Sequence, residues 1–294
     1  MKLTLPKHTP YLNGQGGVRI GLKPINEENW LEIDDKFKDE INLKKNLLSS
    51  NRTEVLQTST DSQAAQEELL ELITNHLEEY HSDKYDFDGQ IIHVKATKES
   101  VDLSNKDLVP IETASLLVQE DLFLMNPRGD KFYLEAASMS APSHWSLTDK
   151  FSKNLMNVHE GVPNYKEKIG NRVNQIFNKL PTDRILERLN WSLFDSPNLF
   201  QPVDSTTHVR IKKKAVKDLY LRVERQTIRK LPVHGSIVFT IRVHVDPLLS
   251  ISKNQDLLNG LDLAIKKLPQ EMKDYKSINK IEKEVLTWIQ DLKN

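Results

Sequence analysis

No cysteine occurs anywhere in this chain of 294 residues. That absence excludes disulfides, zinc–thiolate sites, iron–sulfur clusters held by this chain, thiolate ligation of haem, covalent C-x-x-C-H haem attachment and cysteine nucleophiles. Glycine is sparse, at 10 residues, and the glycine-dependent signatures are missing: no G-x-x-x-x-G-K-[ST], no G-x-G-x-x-G after a strand, no G-x-S-x-G. H-E-x-x-H is missing too, so nucleotide cradling, serine hydrolysis and zincin chemistry lose their usual handles. Neither sign of charge dominates, with 41 Lys+Arg against 42 Asp+Glu, which argues against a general nucleic-acid binder. No apolar run approaches membrane length, and the opening "MKLTLPKHTPYLNGQGG" has no apolar h-region. These absences predict a soluble, cytoplasmic chain with no nucleic-acid and no membrane partner.

What is present reads as alternating helical and extended blocks. "GLKPINEENWLEIDDKF" predicts a turn followed by a helix, with Trp30, Ile33 and Phe37 at helical spacing. "SQAAQEELLELITNHLEEYH" predicts an amphipathic helix with Leu69, Leu72, Ile73 and Leu77 on one face. His76 and His81 near its end read as solvated, favourable against the macrodipole. Strands follow from Ile91, and "ASLLVQEDLFLMN" with "RGDKFYLEAASMSA" predicts a hairpin turning at Pro127 to Asp130. In "PSHWSLTDKFSKNLMNVHEGVPNY", Ser146 caps a short helix with Asp149 in the capping-box position. Pro163 starts a longer helix, with Ile169, Val173, Ile176 and Leu180 as its stripe, so His159 falls in the connection. "HVRIKKKAVKDLYLRVERQTIRKL" and "SIVFTIRVHVDPL" predict two strands joined through "PVHG". "SINKIEKEVLTWIQDL" closes the chain as a helix, with Ile278, Ile281, Val285, Trp288 and Leu292 on one side. The pattern predicts an α+β fold with a mainly antiparallel sheet.

Two stretches carry chemistry. In "LRVERQT", period-two alternation puts Arg222, Glu224 and Gln226 on one face and Val223, Arg225 and Thr227 on the other. A hydrated strand face is the plainer reading. Turned inward, the charges need partners or a ligand of opposite charge, because uncompensated burial is costly. Arg242, in "FTIRVHV", raises the same question among strongly apolar neighbours. The run "RIKKK" at 210–214 reads as a solvated edge that discourages strand pairing, with a dock for an acidic electron-transfer partner as the alternative. From Arg210 to Lys230 there are nine Lys/Arg against two acidic residues. Nine histidines form no H-x-x-x-H pair on a helix. A lone loop histidine such as His159 reads by itself as a surface residue before it reads as a ligand.

Taken together, "PSHWSLTDKFSKNLMNVHEGVPNY", "RLNW" and "LRVERQTIRKLPVHGSIVFTIR" resemble the haem-dependent oxidative N-demethylase family. The family's run is similar: proline, serine and tryptophan, a spaced lysine, H-x-x-V-P, R-x-N-W, then R-V-E-R-Q-T and L-P. "GLKPINEENWLEIDDKF" and "LVQEDLFLM" fit as well. The resemblance implies a PAS-like antiparallel sheet flanked by helices, with a pocket for non-covalent haem b between sheet and helices. The implied activity is oxidation of dimethylamine, a small secondary amine, to methylamine and formaldehyde with O2. Electrons would come from NADPH through flavin- and ferredoxin-type reductase subunits. A cysteine-free chain agrees with that division of labour, since it holds no iron–sulfur relay of its own.

Carried over residue by residue, the resemblance makes His159 the axial ligand to iron. Glu224 would hold the alkylammonium or move protons. Arg222 and Arg225 point to opposite faces, so at most one faces the pocket, as a catalytic or cofactor-binding group, while the other reaches a propionate from the rim or braces the sheet. Lys150 is a candidate for a propionate, Trp145 for a pocket wall and Arg242 for cofactor binding. Core packing is the plainer reading of Trp145 and Trp191. "HEGVP" departs from the family in its acidic residue and glycine. The expected division is an N-terminal loop at 1–17, the haem-binding unit at 18–250 and a C-terminal helical extension at 251–294. Two readings compete with an enzyme: a haem-PAS gas sensor or carrier without turnover, and a PAS-like scaffold that binds no haem.

Overall fold

β-Branched and apolar residues alternate through the middle of the chain, and there the backbone pairs into a sheet. A computed structural model describes residues 4–14, 20–163, 170–203, 211–212 and 215–293. Its strands are β1 (Lys23–Ile25), β2 (Leu56–Thr58), β3 (Tyr85–Asp88), β4 (Ile91–Val94), β5 (Glu99–Asp102), β6 (Asp121–Arg128), β7 (Lys131–Ser138), β8 (Ile185–Phe194), β9 (Tyr220–Lys230) and β10 (Ile237–Pro247). Its helices are α1 (Phe37–Ser50), α2 (Arg52–Val55), α3 (Gln63–Tyr80), α4 (Pro110–Ser115), α5 (Leu147–Lys150), α6 (Leu155–Val158), α7 (Asn171–Lys179), α8 (Gln255–Lys267), α9 (Gln270–Tyr275) and α10 (Glu282–Asp291).

The fold is α+β, as the sequence pattern predicts. The main sheet is antiparallel and open, in the order β1-β8-β9-β10-β6-β7-β2, and β3-β4-β5 form a small second sheet. Within the main sheet, β6 to β10 form a five-stranded unit in which the second strand in sequence lies outermost, followed by the first, fifth, fourth and third. Between its second and third strands the chain leaves the sheet and runs through α5, α6 and α7, the arrangement expected of a PAS-like fold.

Register assigns every side chain of this unit to a face. Glu224 lies opposite Asn190 on β8 and Val243 on β10, and Gln226 lies opposite Arg188 and Ile241. Arg225 pairs with Leu189 and Arg242 on the other face. On the Glu224 face, Phe123, Met125, Ile228 and Ile237 pack with Leu147, Leu155, Phe177 and Leu180 of the α5–α7 crossover. The opposite face carries two cores. Leu122, Leu124 and Val238 meet α1, α3 and α4, while Trp191, Leu193, Leu221 and Val223 meet α8 and α10. The N-terminal segment closes tightly on α8: a Cβ at Gly260 would stand 2.5 Å from the carbonyl oxygen of Leu12.

Several local expectations shift. Around Trp30 the chain forms a strand and a single 3-10 turn, and α1 begins only at Phe37. His76 is 3% exposed rather than solvated, sealed edge-on against Trp30 with ring centroids 5.1 Å apart. α7 begins at Asn171; Ile169 lies outside the described residues, and Pro163 sits in a turn ahead of them. In the last helix Val285 and Ile289 are buried, while Leu292 is exposed.

Candidate functional site

His159 terminates α6. Asn154 caps that short helix by accepting hydrogen bonds from the Met156 and Asn157 amides at 3.0 and 3.2 Å. The segment before it is stitched to β7, where the Leu134 amide donates to the Lys153 carbonyl at 3.0 Å and the Ser152 amide to the Leu134 carbonyl at 2.9 Å. After His159, Gly161 turns the chain at φ +97°, a conformation that a side chain strains. That requirement accounts for the glycine in "HEGVP".

His159 Nδ1 lies 2.9 Å from the Leu155 carbonyl oxygen. An acceptor there requires the proton on Nδ1, which leaves the lone pair of the neutral ring on Nε2. Desolvation pushes its pKa down to about 4, partly offset by that hydrogen bond and reinforced by Arg188 and Lys150. The ring is therefore a neutral donor at physiological pH. Lys150, at the end of α5, donates to the Glu160 carbonyl at 3.3 Å and so tethers the same loop.

On the sheet beneath, the Glu224 carboxylate accepts from Asn190 Nδ2 at 3.2 Å and Gln226 Nε2 at 2.9 Å. Both residues are half-buried, so the row is neither the hydrated face of the plainer reading nor a sealed one. Around it, Trp145, Phe151, Val158, Leu186, Phe239 and Ile241 form an apolar wall that is only partly covered. Trp145 leans on Phe123 with centroids 5.8 Å apart. Alongside, a cleft of about 450 Å³ runs between α7 and β8, where Arg172 and Lys179 of α7, and Arg184, stand over Ile176 and Leu186.

Arg222 shares the Glu224 face yet is 1% exposed. Its guanidinium donates to Ser143 Oγ at 2.9 Å and to the carbonyls of Ala141, Pro142, Asn198 and Leu199 at 2.9 to 3.2 Å. It also lies 5.0 Å from the Phe194 ring, on which His144 stacks. Arg222 therefore clamps the loop before α5 to the segment after β8. Burial pushes its pKa down to about 10, which leaves it charged at neutral pH.

Arg225 and Arg242 lie on the opposite face of the sheet from Glu224, so the structure does not bring them together with that row. Arg225 donates to Glu187 at 3.1 Å and to the carbonyls of Trp30 and Asn29. Arg242 pairs with Asp34 and Glu40, each at 2.8 Å. Both arginines brace residues 29–40 against the sheet, which is the bracing alternative for Arg225. Arg229 is buried there too, on Glu27 at 2.6 Å. Three of the nine cations between 210 and 230 are thus inside the protein, and Arg210, Lys213 and Lys214 fall outside the described residues, as does His208.

The same brace gathers His8, Glu32 and His244, a set with metal-ligating groups within 4.8 Å. Glu32 accepts from His244 at 2.8 Å, His8 at 3.0 Å and Lys7 at 2.8 Å, with Arg225 3.7 Å away. A carboxylate already surrounded by four donors is a charge-balanced clasp rather than a vacant ligand. Burial lowers the His244 pKa below the usual 6.5 despite the Glu32 hydrogen bond. Burial alone would raise Glu32, but His244, His8, Lys7 and Arg225 hold it far below the carboxylate range. An unfolded chain therefore binds protons at both positions more readily than the native one, and both contributions to stability are lost as pH falls. The urea midpoint of the wild type should drop more steeply than that of His244→Gln between about pH 7 and pH 5. Parallel pH profiles for the two proteins would remove His244 from the acid response.

Sequence reasoning missed Arg188, Asn190 and Lys276, whose Nζ donates to Asn190 Oδ1 at 3.0 Å. The first two were within reach, because R-x-N-W spaces them two apart on one strand face. Lys276 has no local signal. The donor set on the Glu224 face fits a haem: one neutral imidazole with its lone pair on Nε2, cations for carboxylate arms, and a partly open aromatic and aliphatic wall. A family model described as haem-dependent oxidative N-demethylase, alpha subunit-like, matches residues 21–286. No helix among the described residues is long and apolar enough to cross a membrane.

Proposed function

Because the chain belongs to the haem-dependent oxidative N-demethylase, alpha-subunit-like family, we propose that it removes a methyl group oxidatively from a small secondary amine such as dimethylamine, at the Glu224 face of the sheet. The observation that carries this reading is a half-buried carboxylate, held by two amides, on the same partly open apolar face as a neutral histidine. Haem b, bound non-covalently there, would supply the iron at which O2 is reduced.

The chain's own residues do the rest. His159 would hold the metal through the Nε2 lone pair, and its Nδ1–H to the Leu155 carbonyl fixes the tautomer and aims the ring. Arg188 and Lys150 would offset the carboxylate arms of the haem. Trp145, Phe239 and Ile241 exclude water and leave methyl groups nothing polar to contact. Glu224 offsets the charge of the alkylammonium, which otherwise loses its hydration without compensation. In balance, (CH3)2NH + O2 + 2 e− + 2 H+ gives CH3NH2 + HCHO + H2O. A methyl C–H bond and then the C–N bond break, and one oxygen atom leaves in formaldehyde and the other in water. Of the four electrons that O2 takes, two come from the methyl carbon and two from outside. A chain without cysteine or a dinucleotide fingerprint draws those electrons from partners, which agrees with the alpha-subunit description of the family. We assign them to flavin- and ferredoxin-type reductase subunits. The haem-binding unit proposed for 18–250 takes in β6 to β10 and the crossover.

Glu224→Gln keeps the shape and removes the charge. The variant should retain haem, lose the amine-induced change in the Soret band, and release formaldehyde from dimethylamine at least ~10-fold more slowly with reductase added, the loss of about 1.4 kcal/mol of interaction. Equal amine affinity and turnover in the two proteins would reduce Glu224 to a structural residue.

A further inference from the structure

We propose that Lys276, from the C-terminal helical segment, is a positioning residue for amine binding: through Asn190 it sets which way the Glu224 carboxylate is held. This rests on the reading of Glu224 as the amine-binding carboxylate.

The contact forms at the sheet edge. Among the described residues β1 pairs with β8 from Ile185 to Glu187, and the carbonyls farther along β8 need donors. The chain leaves α9 at Lys276, and Ser277 turns it at φ +56°. That turn sends Lys276 Nζ to the edge, where it donates to the Trp191 carbonyl and, at 3.0 Å, to Asn190 Oδ1. It stands 5.5 Å from the Trp191 ring centroid.

A lysine ammonium only donates. Its bond to Oδ1 therefore decides the flip of the Asn190 amide and turns the NH2 group to Glu224 Oε2 at 3.2 Å. Flipped, the amide would set its oxygen against the carboxylate. Gln226 donates to the same Oε2 at 2.9 Å. Among the described residues no hydrogen bond falls on Oε1, which is the oxygen this arrangement reserves for the ammonium ligand. Two cations from separate elements act on the carboxylate electrostatically, Arg222 on its own strand and Lys276, and Arg188 faces Lys276. Lys276 reaches the carboxylate through a hydrogen-bonded amide. Desolvation lowers the Lys276 pKa to about 8, the signature of an amine held away from water for a specific contact.

The experiment measures dimethylamine affinity from the Soret perturbation of the haem-loaded chain, with haem content and thermal midpoint recorded alongside. Lys276→Met should keep haem and bind the amine about 5- to 10-fold more weakly, and Lys276→Arg, which still donates, should recover most of that loss. Asn190→Ala should weaken binding similarly, and the double variant Lys276→Met/Asn190→Ala should be no worse than either single one, because the two residues act as one chain. Wild-type affinity in Lys276→Met, or additive losses in the double variant, would overturn the proposal. The Glu224→Gln control separates the two failures. A defective Glu224→Gln beside an unaffected Lys276→Met rejects Lys276 alone, whereas an unaffected Glu224→Gln rejects the carboxylate reading and Lys276 with it.

Discussion

His159→Ala should purify without stoichiometric haem, or with a spectrum shifted to a weakly ligated form, while its thermal midpoint stays close to that of the apo wild type. The two readouts part because His159 is half-buried at the end of a four-residue helix, and its hydrogen bond to the Leu155 carbonyl is local. For a metal, by contrast, the neutral ring is a primary donor. Loss of an outer hydrogen bond typically costs a metal site ~10–100-fold in affinity, and loss of the ligand itself should exceed that. His159→Gly leaves a space of imidazole size, so added imidazole should restore the Soret band in that variant and not in Leu155→Ala. Unchanged haem content and spectrum in His159→Ala would move the ligand elsewhere. His144 stacks face to face on Phe194, and His234 Nδ1 sits 2.6 Å from Glu68 at the surface, so neither is placed as His159 is.

The second large effect falls on stability. Replacing Arg222 by Met should lower the thermal midpoint by roughly 6–15 °C, equivalent to at least ~3 kcal/mol for a chain of this size. Arg222 satisfies four carbonyls and a hydroxyl in a site closed to water. Its removal strands those acceptors at about 1–3 kcal/mol each, less whatever water recovers. Lys at the same position carries the charge but not the fork, and one ammonium cannot span five oxygens, so Arg222→Lys should recover only part of the loss. Both variants should keep amine specificity wherever they remain folded. A midpoint within about 2 °C of wild type, together with lost turnover, would make Arg222 a catalytic group instead of a clamp.

How far the sequence reaches is seen on β9 itself. Alternation in "LRVERQT" separates Arg222, Glu224 and Gln226 from Arg225 and Thr227, and the register with β8 and β10 follows that separation residue for residue. Alternation does not say what covers either face. The plainer expectation of a hydrated row fails because the α5–α7 crossover folds back over it, and the expectation of cofactor binding at Arg242 meets Asp34 and Glu40, more than two hundred positions away in sequence. His76 shows the same limit. Its place near a helix end predicts solvent, but Trp30 arrives from another element and seals it.

By itself, then, the sequence determined the α+β class, the two faces of the central strand, the cap at Ser146, the absence of cysteine from the chain, and the family. These rest on local periodicity, composition and spaced motifs, which need no knowledge of what lies across the molecule. Only the tertiary structure decided that Arg222 is spent on five loop oxygens, that Arg225 and Arg242 belong to a brace on the far face, and that a lysine near the C-terminus reaches Asn190. Each depends on contacts between segments 23 to more than 200 residues apart. A polar side chain inside a protein takes its role from the partner that replaces its water, and that partner is set by chain topology rather than by its sequence neighbours.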